Sequence, residues 1–291
     1  MKKFIILFLA FGLQISFISC TKDNDTVTPA EPLAAETFLN VSYGSNPQQK
    51  YDLYLPAERS SSKTKVIVLV HGGGWTGGDK SDMDFLIPFI KLRHPDHAIA
   101  NVNYVLAAVG TPAFPNQFLD LNAIINKLAE EKDDLQILPE FALIGASAGA
   151  HISLMYDYVY DVNNRIKFVA DIVGPADFTD PFYSDNPNFP FYLSALVDES
   201  AYPAGTNYAE ILSPALQVNG NSSPSLLFYG NADPLVPLTN GETLNAALNI
   251  AQIDHNFTVY EGGHGDWAAV DIENMQSQID AYIDTYLDIQ N

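Results

Sequence analysis

Basic residues are scarce in this chain. Of 291 residues only 14 are Lys or Arg, against 35 Asp or Glu, giving a formal net charge of −21 at pH 7. No basic stripe or run is present, which argues against nucleic acid as a partner and excludes a polybasic membrane-surface site. An acidic surface also repels polyanions and so favours a neutral substrate, although keeping an exported chain soluble accounts for the same charge. Cysteine is scarcer still. Cys20 stands alone, no intrachain disulfide can form, and stability has to come from the core. Metal-ligand spacing is missing as well: no His-x-x-x-His or paired His/Asp pattern appears, so neither a metal nor a cofactor is expected. What is plentiful is apolar residues, 47% of the chain, enough to build a real core in one large domain or two small ones.

The only long apolar run is at the start. Lys2 and Lys3 precede residues 4–18, a stretch too short and wrongly flanked to span a membrane but suited to a signal peptide. It ends at Phe17-Ile18-Ser19-Cys20, which resembles a bacterial lipobox with Phe where Leu is usual. The resemblance implies cleavage after residue 19 and lipidation of Cys20, with plain secretion as the alternative. Residues 20–36 are polar, Pro-containing and aperiodic, so they read as a flexible tether. The early acidic run, Asp23 and Asp25, is similar to tethers of surface-exported lipoproteins. The implied location is the bacterial cell envelope, lipid-anchored at the outer membrane or cell surface, with the periplasm as the alternative. The lipid is the only membrane contact expected.

Residues 37–291 read as one domain. Segments 38–43 and 49–55 alternate as an antiparallel pair should, turning at Asn46-Pro47. Compact apolar runs follow at 65–70, 98–104, 141–144, 168–173, 225–229 and 256–260, the pattern of strands buried on both faces. Helical stretches are expected at 81–92, 117–131, 148–160, 241–250 and 266–289. Such alternation predicts an α/β fold: an open, mostly parallel sheet with helices on both faces. Residues 174–224 break the rhythm, being too long for an ordinary connection and rich in aromatics such as Phe178 and Tyr183. They form a cap-like insert between the sixth and seventh strands.

Two glycine-rich motifs carry the chemistry. Gly145-Ala146-Ser147-Ala148-Gly149 follows a predicted strand and opens a predicted helix, the context of a nucleophile elbow. A strand that reverses directly into a helix strains the serine backbone and leaves no room for side chains two residues away. The exposed hydroxyl then stands at the carboxyl edge of the sheet. A helix N-cap serine among small packing residues is the plainer alternative for the pentapeptide alone. His71-Gly72-Gly73-Gly74-Trp75 comes directly after the third strand. A flexible turn would explain the glycines, but a partner elbow gives them a task. Attack by Ser147 on a carbonyl creates an oxyanion needing fixed donors, and only residues without side chains let backbone N–H groups approach it closely. Gly73, Gly74 and Ala148 are the candidate donors.

A hydroxyl needs a base, and the base needs an orienting carboxylate. Of six histidines, His264 lies in a glycine-rich loop between the last strand and the last helix, where the base belongs on such a fold. Asp233 follows a buried strand, 31 residues earlier, and is the preferred acid over Asp177 and Asp266. Trp75 and Trp267 adjoin these loops and, with Phe178 of the insert, are candidate substrate contacts; packing explains each equally well.

Together HGGGWTGGDK, GASAGAH, GNADPLVP and GGHGDW, with Tyr51-Asp52-Leu53-Tyr54-Leu55-Pro56 upstream, resemble the α/β-hydrolase superfamily. Within it, the chain is similar to the feruloyl/acetyl-xylan esterase-like branch, near the hormone-sensitive-lipase-type carboxylesterases, from about Phe38 onward. One position departs: Val105 follows Tyr104 where that branch often has arginine. The resemblance implies an α/β-hydrolase fold and a serine esterase with Ser147, Asp233 and His264 as triad. Neutral esters such as acetylated or feruloylated plant polysaccharide fragments are the implied substrates. An amide hydrolase on the same triad, or a non-catalytic glycan-binding surface lipoprotein, are the alternatives.

Overall fold

The computed structural model describes residues 33–289. The expected signal segment 1–19, Cys20 and most of the tether lie outside the described residues. The rest is built around one sheet of eight strands: β1 (Glu36–Ser42), β2 (Lys50–Leu55), β3 (Val66–Val70), β4 (Ala98–Val102), β5 (Phe141–Ala146), β6 (Ile166–Ile172), β7 (Ser225–Gly230) and β8 (His255–Tyr260). Each falls on a run read from the sequence. Their order is β1-β2-β4-β3-β5-β6-β7-β8. β1 and β2 pair antiparallel, as do β2 and β4, and the remaining pairings are parallel.

β3 shows why continuous apolar runs were needed. It lies between β4 and β5 with all five residues buried. Alternate side chains leave opposite faces of a strand, so Val66, Val68 and Val70 enter one core and Ile67 and Leu69 the other. Two helices cover the second face, α1 (Leu86–Arg93) and α10 (Ala269–Tyr286), through Ile90, Met275, Ile279 and Ile283. Over the first face lie α2 (Asn116–Glu130), α4 (Ala148–Met155) and α9 (Leu238–Ala251), through Phe118, Ile124, Ile152 and Leu248. A fully buried side chain of this size contributes about 1.5–3 kcal/mol.

The expected helices meet local chemistry at their ends. The stretch 81–92 is split. Asp79 caps a short 3₁₀ turn, Lys80–Met83, before α1 begins, and Lys80 turns inward to meet Asp52 at 3.0 Å. The stretch 148–160 leaves α-geometry at Tyr156 and ends in a π turn, where Asp157 accepts hydrogen bonds from Ser223 N (2.8 Å) and Oγ (2.6 Å). α10 starts at Ala269 rather than 266, because Asp266 bonds the Gly263 N–H at 2.7 Å instead. A short helix, α3 (Lys132–Leu135), was not expected. The insert folds into four short helices, α5 (Pro181–Ser184), α6 (Phe189–Ala195), α7 (Tyr208–Ile211) and α8 (Pro214–Gln217), with one 3₁₀ turn.

Candidate active site

Ser147 sits between β5 and α4 at φ 52°, ψ −119°. That conformation is unusual for a residue with a side chain, and the glycines around it explain how it is tolerated. A Cβ on Gly145 would lie 2.6 Å from the Ala150 backbone, and one on Gly149 only 2.2 Å from the Val70 carbonyl oxygen. Small residues here therefore serve two contacts, the sharp reversal itself and the packing of α4 against the end of β3.

The strand ends bring the other two residues to it. His264 Nε2 lies 2.9 Å from Ser147 Oγ, and its Nδ1 lies 2.6 Å from Asp233 Oδ2. Asp233 is fixed from behind: its Oδ1 accepts hydrogen bonds from the Leu235 and Val236 N–H groups at 2.8 and 3.0 Å. Burial alone would raise this carboxyl, but the His264 hydrogen bond and the two N–H donors outweigh it and hold it below the ordinary carboxylate range. The Asp and His loops are latched together. Ala232 N–H donates to the Gly262 carbonyl, and Gly230 has no room for a Cβ against the Gly263 carbonyl oxygen, 2.1 Å away. The two rival carboxylates are engaged elsewhere. Asp177 caps its own turn through Thr179, and Asp266 holds Gly263 N–H.

The loop after β3 is pressed against the elbow. A Cβ on Gly72 would come within 3.1 Å of Ser147 Cβ, and one on Gly73, at φ +113°, within 2.1 Å of the Gly77 carbonyl oxygen. Gly74 faces open space, and its φ of +56° is what favours glycine there. Among the described residues, the N–H groups of Gly73, Gly74 and Ala148 find no protein acceptor. Ala148 also opens α4, whose dipole favours negative charge at that end. A hydroxyl bonded to an imidazole, an imidazole bonded to a buried carboxylate, and spare N–H donors beside the hydroxyl can together perform acyl transfer.

Residues not expected from sequence hold that loop. Tyr104, two residues past the end of β4, donates its hydroxyl to the His71 carbonyl at 2.9 Å and stacks on the His71 ring at 4.3 Å. Gln117 donates to the Trp75 and Val105 carbonyls at 2.8 and 2.9 Å. Val105, where arginine was the commoner residue, contributes only its backbone, with its N–H donating to Asp120. His151 is wholly buried, and burial pushes its ring down to about 4. It therefore stays neutral, donating from Nε2 to the Leu212 carbonyl and accepting at Nδ1 from Trp75. Tyr104 and His151 were visible at a strand end and within a motif; nothing in the sequence marked Gln117.

A cavity of about 200 Å³ opens beside Ser147 and His264, walled by Phe85, Ile172, Val173, Trp267, Ile272 and Met275. Trp267 thus lies at the site. Phe178 does not line this cavity. It is buried against Trp75 and His151 and borders a separate cavity of about 410 Å³ inside the insert. Trp75 packs edge-on against Phe114, His151 and Phe178, so its ring supports the loop from the insert side.

The profile of the BD-FAE family matches residues 51–248. Kynurenine formamidase of Danio rerio is 28% identical over 169 residues, covering 55% of this chain and 53% of that protein. An isoprenylcysteine alpha-carbonyl methylesterase of Arabidopsis thaliana is 23% identical, covering 77% and 55%. The chain spans about half the length of the curated relatives it matches. Among solved structures, a truncated carbohydrate esterase from gut microbiota superposes with a TM-score of 0.66 at 19% identity, covering 87% of this chain and 98% of that one. A thermophilic esterase of Thermogutta terrifontis superposes with a TM-score of 0.69 at 17% identity, covering 88% and 94%. At such identity these likenesses show the fold alone, the α/β-hydrolase fold.

Proposed function

The chain belongs to the BD-FAE family, and on that premise we propose that it is a serine carboxylic-ester hydrolase working through an acyl-enzyme. The carrying observation is the continuous relay Ser147 Oγ, His264, Asp233, at 2.9 and 2.6 Å, next to unclaimed N–H donors. His264 takes the Ser147 proton as the oxygen attacks the ester carbonyl. The tetrahedral oxyanion is met by the N–H groups of Ala148 and of Gly73 or Gly74, and the imidazolium returns its proton to the departing alcohol. Water activated by His264 then releases the acid. Asp233 keeps Nδ1 protonated and steadies the imidazolium.

The apolar cavity at Ser147 suits a short acyl or alkoxy group with no charge, since apart from His264 its wall offers no ion-pairing side chain. The likeness to a carbohydrate esterase from gut microbiota, together with the sequence motifs, supports acylated oligosaccharides as the substrate class. A second reading, amide hydrolysis, has one observation in its favour: formamidases are among the curated relatives. A panel of p-nitrophenyl acetate, butyrate and octanoate, methyl ferulate, an acetylated xylo-oligosaccharide and an N-formyl arylamine separates them. Short esters are expected to give the highest kcat/KM; preferred turnover of the formamide would replace the ester reading, and no turnover of any of them would end both. For location we retain the lipid anchor on Cys20, which metabolic labelling with a fatty acid tests against Cys20→Ser.

A further inference from the structure

The geometry points to Asp171 as a positioning residue, held in its protonated, uncharged form within a three-member hydrogen-bond ring that fixes the cavity wall beside Ser147. Asp171 lies on β6 and is completely buried. Its Oδ1 accepts the Gly174 N–H at 2.7 Å, and its Oδ2 is 2.6 Å from Tyr229 Oη. Tyr229 Oη is also 2.6 Å from the Gly174 carbonyl oxygen. A phenol has one hydrogen, and contacts this short between oxygens need a hydrogen in each. With Asp171 ionised, one of the two would be a bare pair of oxygens. With it protonated the count closes: Asp171 Oδ2–H donates to Tyr229, Tyr229 donates to the Gly174 carbonyl, and the Gly174 N–H donates back to Asp171 Oδ1.

The surroundings agree. Among the described residues no Lys, Arg or His reaches Asp171. The titratable groups that face the ring are phenols: Tyr229 from β7, Tyr158 from the turn after α4, and Tyr183 of the insert beyond Tyr229. Burial pushes the Asp171 carboxyl up to about 7 against the pull of its Tyr229 and Gly174 hydrogen bonds.

The ring clasps a strained residue. Val173 has φ +52°, a conformation that a β-branched side chain adopts only when its surroundings force it. Asp171 and Gly174 bracket it, and Gly174 has no room to shift: a Cβ there would lie 2.4 Å from Asp171 Oδ1 and 2.7 Å from Ala150 Cβ on α4. Val173 and Ile172 form part of the wall of the cavity at Ser147, and the Ile172 carbonyl accepts the Ser147 N–H at 2.7 Å. Asp171 thus acts on the site through these two residues and touches no substrate itself.

The activity arm of the test rests on the ester-hydrolase reading, and the spectroscopic and stability arms do not. Infrared difference spectra of wild type against Asp171→Asn near pH 6 are expected to show a protonated carboxyl C=O band absent from the variant. An amide can replace the neutral acid, donating to Tyr229 and accepting from Gly174, so Asn should keep kcat within about threefold, whereas Asp171→Ala and Tyr229→Phe lose about tenfold or more. An unfolded Asp ionises near its ordinary value while the folded one stays neutral. Wild type should therefore lose stability relative to Asp171→Asn as pH rises from about 4 to about 7, and keep a constant difference above that. Absence of the carboxyl band, or a loss in Asp171→Asn as deep as in Asp171→Ala, overturns the proposal. Should Tyr229→Phe fail to fold, the spectra and melts of the other proteins still decide.

Discussion

Aromatic residues gather in the insert, yet the surface beside Ser147 is mostly aliphatic. In the insert, Phe178, Tyr183 and Phe189 pack on one another at 5.1–5.9 Å between ring centres, and Phe178 reaches back to Trp75 and His151. At Ser147 the wall is Ile172, Val173, Ile272 and Met275 with Trp267 and Phe85, drawn mainly from the exit of β6 and the start of α10. Abundance of rings thus marks where the insert is fastened to the β3 loop, while the site borrows its apolar surface from elements the core already needs. Position relative to the carboxyl edge of the sheet, rather than residue type, decides which apolar groups line the cavity at Ser147.

That contrast can be broken or sharpened by substitution. The largest expected effect is at the candidate triad: Ser147→Ala should lower kcat by about 10⁵-fold or more, with an unchanged melting temperature. Asp233→Asn leaves Nδ1 facing a donor instead of an acceptor and should cost about 10⁴-fold in kcat. The same side chain has a pH signature. Its folded carboxyl titrates below the unfolded one, so its contribution to stability is present above the unfolded value and lost as pH falls through the folded value. Acid melts of wild type should therefore steepen relative to Asp233→Asn. Gly73→Ala strains φ +113° and meets the Gly77 carbonyl, displacing a candidate oxyanion donor; a loss of about 10²–10³-fold in kcat is expected, with KM for short esters little changed. Met275→Trp fills the cavity wall and should cut butyrate relative to acetate by about 10- to 100-fold. Phe178→Ala is the counterpart in the insert. It should destabilise by about 3–5 kcal/mol while altering that ratio least. If Phe178→Ala changes acyl preference more than Met275→Trp does, the division between the two regions is wrong.

Much of this architecture was legible before any coordinates. The strands announced themselves because runs such as Val66-Ile67-Val68-Leu69-Val70 must bury both faces, and Gly and Pro punctuate their ends. Ser147 and the loop glycines were legible because strained backbone and close approach leave glycine as the residue that fits. His264 and Asp233 followed from chain order. Cavity walls were not legible, since Ile172 and Met275 look the same in a sequence whether they face a neighbour or an empty space. Asp171 read as an ordinary strand residue; only its distances to Tyr229 and Gly174 reveal the missing proton. Trp75 and Phe178 drew attention as aromatics near motifs, and their rings turn out to pack on each other and on His151.

The most direct test of the central claim is reaction with a fluorophosphonate probe, read by intact mass and peptide mapping. One adduct per chain, on Ser147, lost in Ser147→Ala and slowed in Asp233→Asn, is the expected result. A folded protein that takes up no label, or carries it on another residue, would contradict the account.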